Sequence, residues 1–442
     1  MSVTKEHRLD AIKPVAPDDG VASAMRPLVQ ALVGARPSVR LEFWDGTGVG
    51  PTDGPATVRV ESPDALRRIM WSPNELGVSR AYVAGDITVE GDIMKAIEAL
   101  RDTSPDDLDF GPRAAIGALS AARKLGVLGR PLPAPPEEAK PRGRRHSKQR
   151  DAGVISHHYD VGNDFYRIVL GPAMTYSCAH FAREDMTLAE AQASKHELIC
   201  RKLGLQEHQG ARLLDVGCGW GSMALHAAQR YGAQVVGITI SQEQADGARQ
   251  RVEEAGLSKL IEIRLLDYRD LRGDQYDAIS SIGMFEHVGV ARTEEYFGVL
   301  RSLLGPGGRL LNHAISSVRG SRIGRRTFMG RYVFPDGELA DVGDVVLAME
   351  YAGFEVRDVE SLREHYAQTL RRWVANLESD WDRAVALAGQ SRARIWRLYM
   401  AGSAVGFEDG GLGVHQVLGV VADRGGLSGM PRTRDAWSAE IA

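Results

Sequence analysis

The clearest chemical feature of the sequence is a predicted strand that runs directly into a glycine-rich turn. The strand ARLLDV at residues 211–216 is followed by GCGWG at 217–221 and then by a helical stretch. Such a turn lets a ligand approach the backbone without meeting a Cβ atom, and it aims the free N–H groups of the helix start at that ligand. The alternative is a turn with a purely structural role.

The same turn does not fit a nicotinamide dinucleotide. That fingerprint requires Gly-x-Gly-x-x-Gly and a carboxylate about 20 residues further on. Here the third glycine comes one residue early, and the next strand ends in GITIS at 237–241, which carries no acid. Both features weigh against NAD as the ligand.

A second unusual stretch places a cysteine beside His, Tyr, Asp and Asn side chains. ISHHYDVGNDFY at 155–166 and MTYSC at 174–178 are too polar for a core strand and too aromatic for a linker. The chain has three cysteines, Cys178, Cys200 and Cys218, without CxxC or zinc spacing. This pattern predicts a reducing compartment and no structural metal. An inert, buried Cys178 is the alternative to a functional one.

Length and composition predict a soluble globular protein of two or three domains. The chain has 442 residues, 43% of them hydrophobic and 25% charged, and no uninterrupted apolar run of about 18 residues that would suggest a membrane span. Its start, MSVTKEHRLD, lacks an apolar signal segment, so we expect a cytoplasmic location. The net charge of −4 argues weakly against nucleic-acid binding.

The first third of the chain predicts a small α+β domain at 1–126. Alternating residues around VRLEFWDGTGVG and ATVRV predict a β-hairpin whose turn lies between Gly46 and Gly54. Ser62-Pro63-Asp64 then predicts a helix start. Residues 127–150 carry five prolines and a basic run (Arg142, Arg144, Arg145, Lys148 and Arg150), which predicts a solvated linker or a contact with anionic lipid headgroups.

From residue 187 onward, predicted helices and strands alternate. TLAE at 187–190 predicts a capping box, and strands separated by helices predict a parallel sheet covered on both faces. FEVRDVE and GVHQVLGVVA predict a final antiparallel pair at the sheet edge, separated by an insertion at roughly 361–405.

Several blocks together resemble one protein family. The pattern from Asp215 to Gly221 is similar to the S-adenosylmethionine loop of Rossmann-like methyltransferases. With ISHHYDVGNDFY, MTYSCAHF, MFEHVG and YVFPDGEL in the same order, residues from about 151 to 423 resemble the cyclopropane-fatty-acyl-phospholipid synthases, which include the mycolic acid cyclopropane synthases. The resemblance implies an α/β fold, a class I methyltransferase domain with a seven-stranded sheet at 151–442.

The resemblance also implies functional residues. Contacts to S-adenosylmethionine are expected at Tyr176, Ser177, Asp215, Gly217, Cys218, Gly219, Gly221, Thr239, Gln244, Asp267 and Tyr268. The family holds a bicarbonate ion near the transferred methyl, and the matching catalytic positions are Cys178, Glu286, His313 and Tyr366. Asn163, Asp164 and Tyr166 match a block that closes over the cofactor. Where the family commonly has a late cysteine, this sequence has Ser403, which argues against a covalent thiol mechanism.

The implied chemistry assigns a role to each catalytic position. Methyl transfer to an alkene leaves a carbocation, and ring closure requires a weakly nucleophilic base. We expect Glu286 to accept the bicarbonate O–H while His313 and Tyr366 donate to the ion and Cys178 acts as a weak donor. Structural roles for Glu286 and His313 are the alternatives, and His365 is a rival to Tyr366. His157 and His158 stay ambiguous.

The expected substrate is the double bond of an unsaturated phospholipid acyl chain, with a cyclopropane product. The alternatives are a methylene-branched chain, a small-molecule or protein methyltransferase, and a non-catalytic lipid-transfer protein. A second basic cluster, of Arg319, Arg322, Arg325, Arg326 and Arg331, predicts contact with an anionic membrane surface, or is a solvated face. The small domain would bind lipid or mediate a homodimer.

Overall fold

The structure of the protein, a computed structural model, describes residues 20–33, 37–101, 123, 125–140, 143, 147–148, 150, 161–324 and 326–438. These divide into two compact units, one within Met1–Pro73 and Ala84–Pro133 and the other within Asn74–Val83 and Ala134–Ala442. The predictions for His157, His158, Arg142, Arg144, Arg145 and Arg325 fall outside the described residues.

The smaller unit contains a four-stranded sheet of order β2-β1-β3-β4. Its elements are α1 (Val21–Val33), β1 (Arg40–Phe43), β2 (Gly48–Val49), β3 (Ala56–Val60), α2 (Pro63–Trp71), α3 (Glu75–Ala84), β4 (Ile87–Gly91) and α4 (Ile93–Arg101), with most of α3 grouped in the larger unit. The predicted start of α2 is confirmed, because the Ser62 side chain accepts a hydrogen bond from the Asp64 N–H at 3.3 Å.

The predicted hairpin between the strands now called β1 and β3 is wrong. These strands pair in parallel. A tight turn closed by the Phe43 N–H on the Thr47 carbonyl, at 2.8 Å, makes the two-residue β2 the antiparallel partner of β1. The chain then crosses back before β3 begins, so β3 must run in the same direction as β1.

The proline-rich stretch is hydrogen-bonded over much of its described length, in contrast to a solvated linker. In the smaller unit, three side chains of α2 donate to backbone carbonyls within residues 129–133. These bonds join Arg67 Nε to Arg130 at 2.6 Å, Arg68 Nη1 to Pro133 at 2.7 Å, and Trp71 Nε1 to Gly129 at 2.9 Å. In the larger unit, Arg80 donates twice to the Glu138 carboxylate, each at 2.8 Å.

The larger unit is built on a seven-stranded sheet of order β10-β11-β9-β8-β5-β6-β7. Its strands are β5 (Arg212–Val216), β6 (Gln234–Thr239), β7 (Ile261–Leu265), β8 (Tyr276–Ile282), β9 (Leu304–Ser317), β10 (Glu355–Ser361) and β11 (Leu412–Val420). The five strands from β9 to β7 run parallel, and β11 is antiparallel to both of its neighbours. The predicted antiparallel pair at one edge is confirmed.

Helices cover both faces of this sheet, as the alternating pattern predicted. They are α5 (Asn163–Leu170), α6 (Leu188–Leu203), α7 (Ser222–Tyr231), α8 (Gln242–Glu254), α9 (Thr293–Ser302), α10 (Val342–Tyr351), α11 (Arg363–Ser379), α12 (Trp381–Ala388), α13 (Gln390–Glu408) and α14 (Asp435–Ser438). Neighbouring residues of β5 point to opposite faces, so Leu213 belongs to one apolar core and Leu214 to the other. The predicted capping box of Thr187 and Glu190 at the start of α6 is present.

The insertion between the last two strands consists of α11, α12 and α13. Of the helices in the described ranges, none combines the length and the apolarity needed to cross a bilayer.

Candidate active site

A cavity opens where the glycine loop leaves the carboxyl end of β5, at the edge where parallel α/β sheets bind ligands. The loop is held to β6, because the N–H groups of Gly217 and Cys218 both donate to the Ile238 carbonyl at 2.9 Å. Gly217 and Gly219 have φ angles of 74° and 53°, which favour glycine. A Cβ at Gly217 would lie 3.1 Å from the Met284 Cβ, so this turn also needs glycine for packing.

The cavity collects the residues expected to contact the cofactor. All but one line it: Tyr176, Ser177, Asp215, Gly217, Cys218, Gly219, Thr239, Gln244, Asp267 and Tyr268. The exception, Gly221, lies at the N-cap of α7, with φ of 77°. These residues come from four separate parts of the chain, and the fold brings them to one place.

Arg251 of α8 fixes the segment that carries Tyr176 and Ser177 against the glycine loop. Its Nη1 donates to the Trp220 carbonyl at 2.6 Å, and its Nη2 donates to the Ala173 carbonyl at 3.1 Å. One guanidinium therefore joins the backbone of the glycine loop to the backbone of the segment that precedes Tyr176. No sequence motif pointed to this arginine.

One wall of the cavity continues into an aromatic cluster. The Tyr176 ring lies 5.8 Å from Tyr166, 5.4 Å from Trp373 and 5.6 Å from Trp396, measured between ring centroids, and Tyr166 lies 4.7 Å from Trp220. Closely packed rings of this kind exclude water from the space between them. The aromatic cluster thus gives the cavity a dry side.

The block at 163–166 also reaches the glycine loop. The Trp220 indole N–H donates to Asn163 Oδ1 at 2.7 Å, and the Tyr166 ring packs on Trp220. Asp164 instead lies at the surface, where it pairs with Arg167 at 3.0 Å.

Glu286 and His313 lie next to the cavity without lining it. His313 pairs in register with Ile282, a lining residue, and its carbonyl accepts from the N–H of Gly283, another lining residue, at 2.9 Å. Glu286 Oε1 accepts from the Ile315 N–H at 2.7 Å, which places the carboxylate over the end of the same strand, β9.

Each of these two side chains keeps one buried polar atom without a hydrogen-bond partner in the described structure. These atoms are Glu286 Oε2 and His313 Nε2. Glu286 is partly exposed as a residue, but its carboxylate is buried, and burial raises its pKa to about 7. Burial also holds the pKa of His313 well below its ordinary value, so this imidazole is neutral.

The hydrogen bond to His313 Nδ1 indicates which ring nitrogen carries the proton. Gln416 Nε2, which can only donate, lies 3.2 Å from Nδ1. With the amide oriented this way, Nδ1 accepts and the proton resides on Nε2. The pair therefore offers one buried N–H donor and one buried carboxylate oxygen beside the cavity.

Cys178 and Tyr366 lie away from the cavity lining, near the start of α11. The Cys178 Sγ contacts the Leu362 carbonyl at 3.6 Å, and burial raises the pKa of its thiol. The Tyr366 ring packs on Phe407, with 4.7 Å between centroids. The rival residue, His365, is engaged elsewhere, because its Nδ1 accepts from the Phe181 N–H at 3.1 Å.

Several lining residues were not singled out from the sequence. They are Met174, Lys195, His196, Trp220, Ser222, Met223, Ile240, Leu266, Arg269, Met284 and His287. Most lie within a quoted motif or directly beside a predicted contact, so neighbourhood alone could have suggested them. Lys195 and His196 lie within α6, where a helical pattern shows only that a position faces inward.

A seven-stranded, mostly parallel sheet with an antiparallel β11 and a glycine loop after β5 defines this protein as a class I S-adenosylmethionine-dependent methyltransferase. Residues 146–417 match the family described as mycolic acid cyclopropane synthetase. The chain belongs to that family, as the resemblance implied.

Relatives that span nearly the whole chain carry a related description. The chain is 44% identical over 401 residues to the probable fatty acid methyltransferase Rv3720 of Mycobacterium tuberculosis, covering 89% of this chain and 93% of that protein. It is 41% identical over 405 residues to a probable fatty acid methyltransferase of Pseudomonas putida, covering 90% and 95%.

A solved structure extends the comparison to the fold. Mycolic acid cyclopropane synthase CmaA1, complexed with SAH (S-adenosylhomocysteine) and CTAB, has a TM-score of 0.57 and 35% identity, and the match covers 61% of this chain and 97% of that one. The protein is therefore a methyltransferase of the family that forms cyclopropane rings or methyl branches on fatty acids, with S-adenosylmethionine as its cofactor.

Proposed function

We propose that this enzyme adds a one-carbon unit to the double bond of an unsaturated phospholipid acyl chain and closes a cyclopropane ring. One observation carries the proposal. The glycine-loop cavity is bordered by the aromatic cluster through Tyr176 and Trp220. Glu286 and His313, whose Oε2 and Nε2 have no partner among the described residues, adjoin lining residues in the chain or across the sheet. A dry wall next to a buried donor and acceptor suits the alkylation of a hydrocarbon followed by loss of a proton.

The first requirement of this chemistry is orientation. When bound, S-adenosylmethionine supplies an electrophilic sulfonium methyl. An isolated alkene is a weak nucleophile, so Tyr176 and its aromatic neighbours must hold the acyl chain in line and keep water out. Positioning of this kind supplies several kcal/mol of the barrier reduction.

The second requirement is a base that is too weakly nucleophilic to be alkylated by the carbocation. Glu286 and His313 fit a bicarbonate ion, because the buried Nε2–H of His313 can donate to it and Glu286 Oε2 can accept its O–H. Bicarbonate held there would accept the proton that leaves during ring closure. Cys178 and Tyr366 carry no part of this argument, because the Cys178 thiol contacts the Ala179 and Leu362 carbonyls and the Tyr366 ring packs on Phe407.

A second candidate product is a chain with a methylene or methyl branch. Two relatives that cover about nine tenths of the chain are named probable fatty acid methyltransferases, whereas cyclopropane mycolic acid synthase 1 matches 59% of it. The same alkylation leads to a methyl branch if the carbocation loses a proton from a neighbouring chain carbon. It leads to a methylene branch if a 1,2-hydride shift precedes loss of a proton from the new methyl group.

Turnover on defined lipids tests the proposed acceptor. We expect release of S-adenosylhomocysteine with dioleoyl phospholipid vesicles and none with fully saturated vesicles of the same headgroup, because only the former offer a double bond. Equal turnover on both would reject the proposal and favour headgroup, small-molecule or protein methylation. Absence of turnover with tight lipid binding would favour a lipid-transfer role.

We also propose that an anionic membrane surface presents the acceptor. Arg319, Arg322 and Arg326 are exposed and form no ion pair with any residue that the structure describes. Their loop leads into residues 329–334, and Phe334 packs on the cavity residue His287 with 5.9 Å between ring centroids. Arg331, by contrast, lies 3.7 Å from Glu138. A lipid-binding or dimer-forming role for the smaller unit stays a prediction.

Vesicle sedimentation tests this surface. We expect the R319Q/R322Q/R326Q variant to bind phosphatidylglycerol vesicles about tenfold more weakly, because each basic residue contributes about 1 kcal/mol near an anionic surface and part of that is screened by salt. A control variant with Gln at the exposed Arg230, Arg424 and Arg432 should bind like the wild type. Binding that is independent of salt, or equal losses in both variants, would contradict the proposal.

A further inference from the structure

The side chain of Lys195 is a buried cation at the cofactor cavity. It lies in the middle of α6 with only 1% of its surface exposed, and it lines the cavity. Its Nζ donates to Ser177 Oγ at 3.0 Å. Burial lowers its pKa to about 8, so the amine is still mostly protonated at pH 7.

A second lysine on the same helix shows how a structural cation is treated in this fold. Lys202 is equally buried, at 1% exposure, but it forms ion pairs with Asp358 at 2.8 Å and Glu360 at 2.5 Å. Within the described residues, no carboxylate lies within ion-pair distance of Lys195. A buried charge without a counterion is costly, so the cavity at Lys195 is electrostatically suited to an anion.

Asp215, an acid that also lines the cavity, has a hydrogen-bond partner within the described structure at only one of its two carboxylate oxygens. Asp215 Oδ1 accepts from Ser280 Oγ at 2.8 Å, while Oδ2 is buried without a partner among the described residues. The pKa of this carboxyl is raised to about 6, because the effect of burial exceeds the opposite effects of the Ser280 hydrogen bond and the Lys195 charge. The cavity therefore holds an ammonium and a carboxylate that do not satisfy each other.

We infer that Lys195 binds the α-carboxylate of the cofactor's methionine portion, through its ammonium group and through the Ser177 hydroxyl that it orients. The methionine portion is a zwitterion, so it presents an anion to Lys195 and an ammonium to Asp215. Because Lys195 occupies the acceptor side of Ser177 Oγ, the Ser177 O–H is free to donate to the same carboxylate. This inference rests on the proposed use of the cavity for the cofactor and adds a specificity residue to it.

The test compares two ligands that differ in one carboxylate. Calorimetry would measure the affinities of S-adenosylhomocysteine and of S-adenosyl-3-thiopropylamine, its decarboxylated analogue, for the whole protein. We expect the wild type to prefer S-adenosylhomocysteine by about 10- to 100-fold, as for a charge-assisted hydrogen bond. In K195M this preference should fall to about twofold or less, because only the carboxylate-bearing ligand loses a partner.

K202M is the matched control, since it removes an equally buried lysine of the same helix. It should lower the melting temperature and keep the ligand preference of the wild type. A K195M protein that retained the preference, or lost affinity for both ligands equally, would overturn the inference.

The wild type and K195R keep the test decisive if K195M does not fold. A wild-type preference below about twofold overturns the inference without any variant, and K195R should retain the preference because it retains the charge. The outcome is separate from that of the acceptor assay, because both ligands bind without lipid. A normal ligand preference with no turnover on dioleoyl vesicles would reject the proposed acceptor alone.

Discussion

The E286Q variant should lose turnover by about 100-fold or more while binding S-adenosylhomocysteine like the wild type. The amide has nearly the same shape, but the NH2 group that replaces Oε2 cannot accept a hydrogen bond from the O–H of the proposed bicarbonate. Acid–base groups typically contribute factors of this size. Initial rates at saturating S-adenosylmethionine, beside calorimetry with S-adenosylhomocysteine, separate the two effects. Wild-type activity should also fall in bicarbonate-depleted buffer.

The control for this variant is D277N, a carboxylate-to-amide change at the other end of the sheet. Asp277 also accepts a backbone N–H, that of Arg212, at 2.8 Å. D277N should keep its activity. An active E286Q enzyme, or an unchanged rate without bicarbonate, would contradict the role assigned to Glu286.

The same variant should be more stable than the wild type at pH 8. Burial raises the folded-state pKa of Glu286 to about 7, so the folded protein favours the neutral carboxyl. The contribution of this carboxyl to the free energy of unfolding is therefore fully present below the unfolded-state pKa and is lost as the pH rises through 7. Compared with the wild type, E286Q should therefore have a free energy of unfolding that is higher by on the order of a few kcal/mol at pH 8 and nearly the same at pH 4. Chemical denaturation at the two pH values measures it.

The G219V variant should lose at least about 100-fold in affinity for S-adenosylhomocysteine, or about 2.7 kcal/mol. Gly219 lines the cavity with a φ of 53°, and a Cβ built there meets no atom within 4 Å other than those of its chain neighbours. A valine would therefore project into space beside the loop that a ligand needs. Calorimetry with S-adenosylhomocysteine measures the loss.

G232V separates this effect from backbone strain. Gly232 has a φ of 63°, and a Cβ there is equally free of contacts, but it ends α7 outside the cavity lining. Both variants should be destabilised by about 1–2 kcal/mol, and G232V alone should bind the ligand normally. Equal affinities for the two variants would show that the glycine loop does not hold the cofactor.

Local patterns were sufficient to predict much of the larger unit. The capping box at Thr187 depends on residues three apart, and the glycine loop depends on a strand that ends at Val216. Both were read correctly because the interactions that fix them are local. The antiparallel β10–β11 pair followed from its alternating residues and its position after the last crossover.

Long-range pairing accounts for what the sequence did not reveal. The strand pattern of β1 and β3 was visible, but the partner of each was not, because pairing depends on where the short β2 docks. Lys195 and Lys202 have the same inward-facing helical signal, and only the fold shows that one meets two carboxylates and the other a cavity. The composition of the proline-rich stretch does not indicate that the side chains of α2 bind the backbone of residues 129–133, because such bonds depend on the fold.

The position of the transferred carbon in the product tests the central claim most directly. The enzyme would be incubated with S-adenosylmethionine labelled with ¹³C at the sulfonium methyl and with dioleoyl phospholipid, and the lipid would be analysed by NMR. We expect the label in a ring methylene with two inequivalent, upfield protons, bonded to both former alkene carbons. Label in a branch would establish the second candidate product, and an acyl chain without label would contradict alkylation of the double bond.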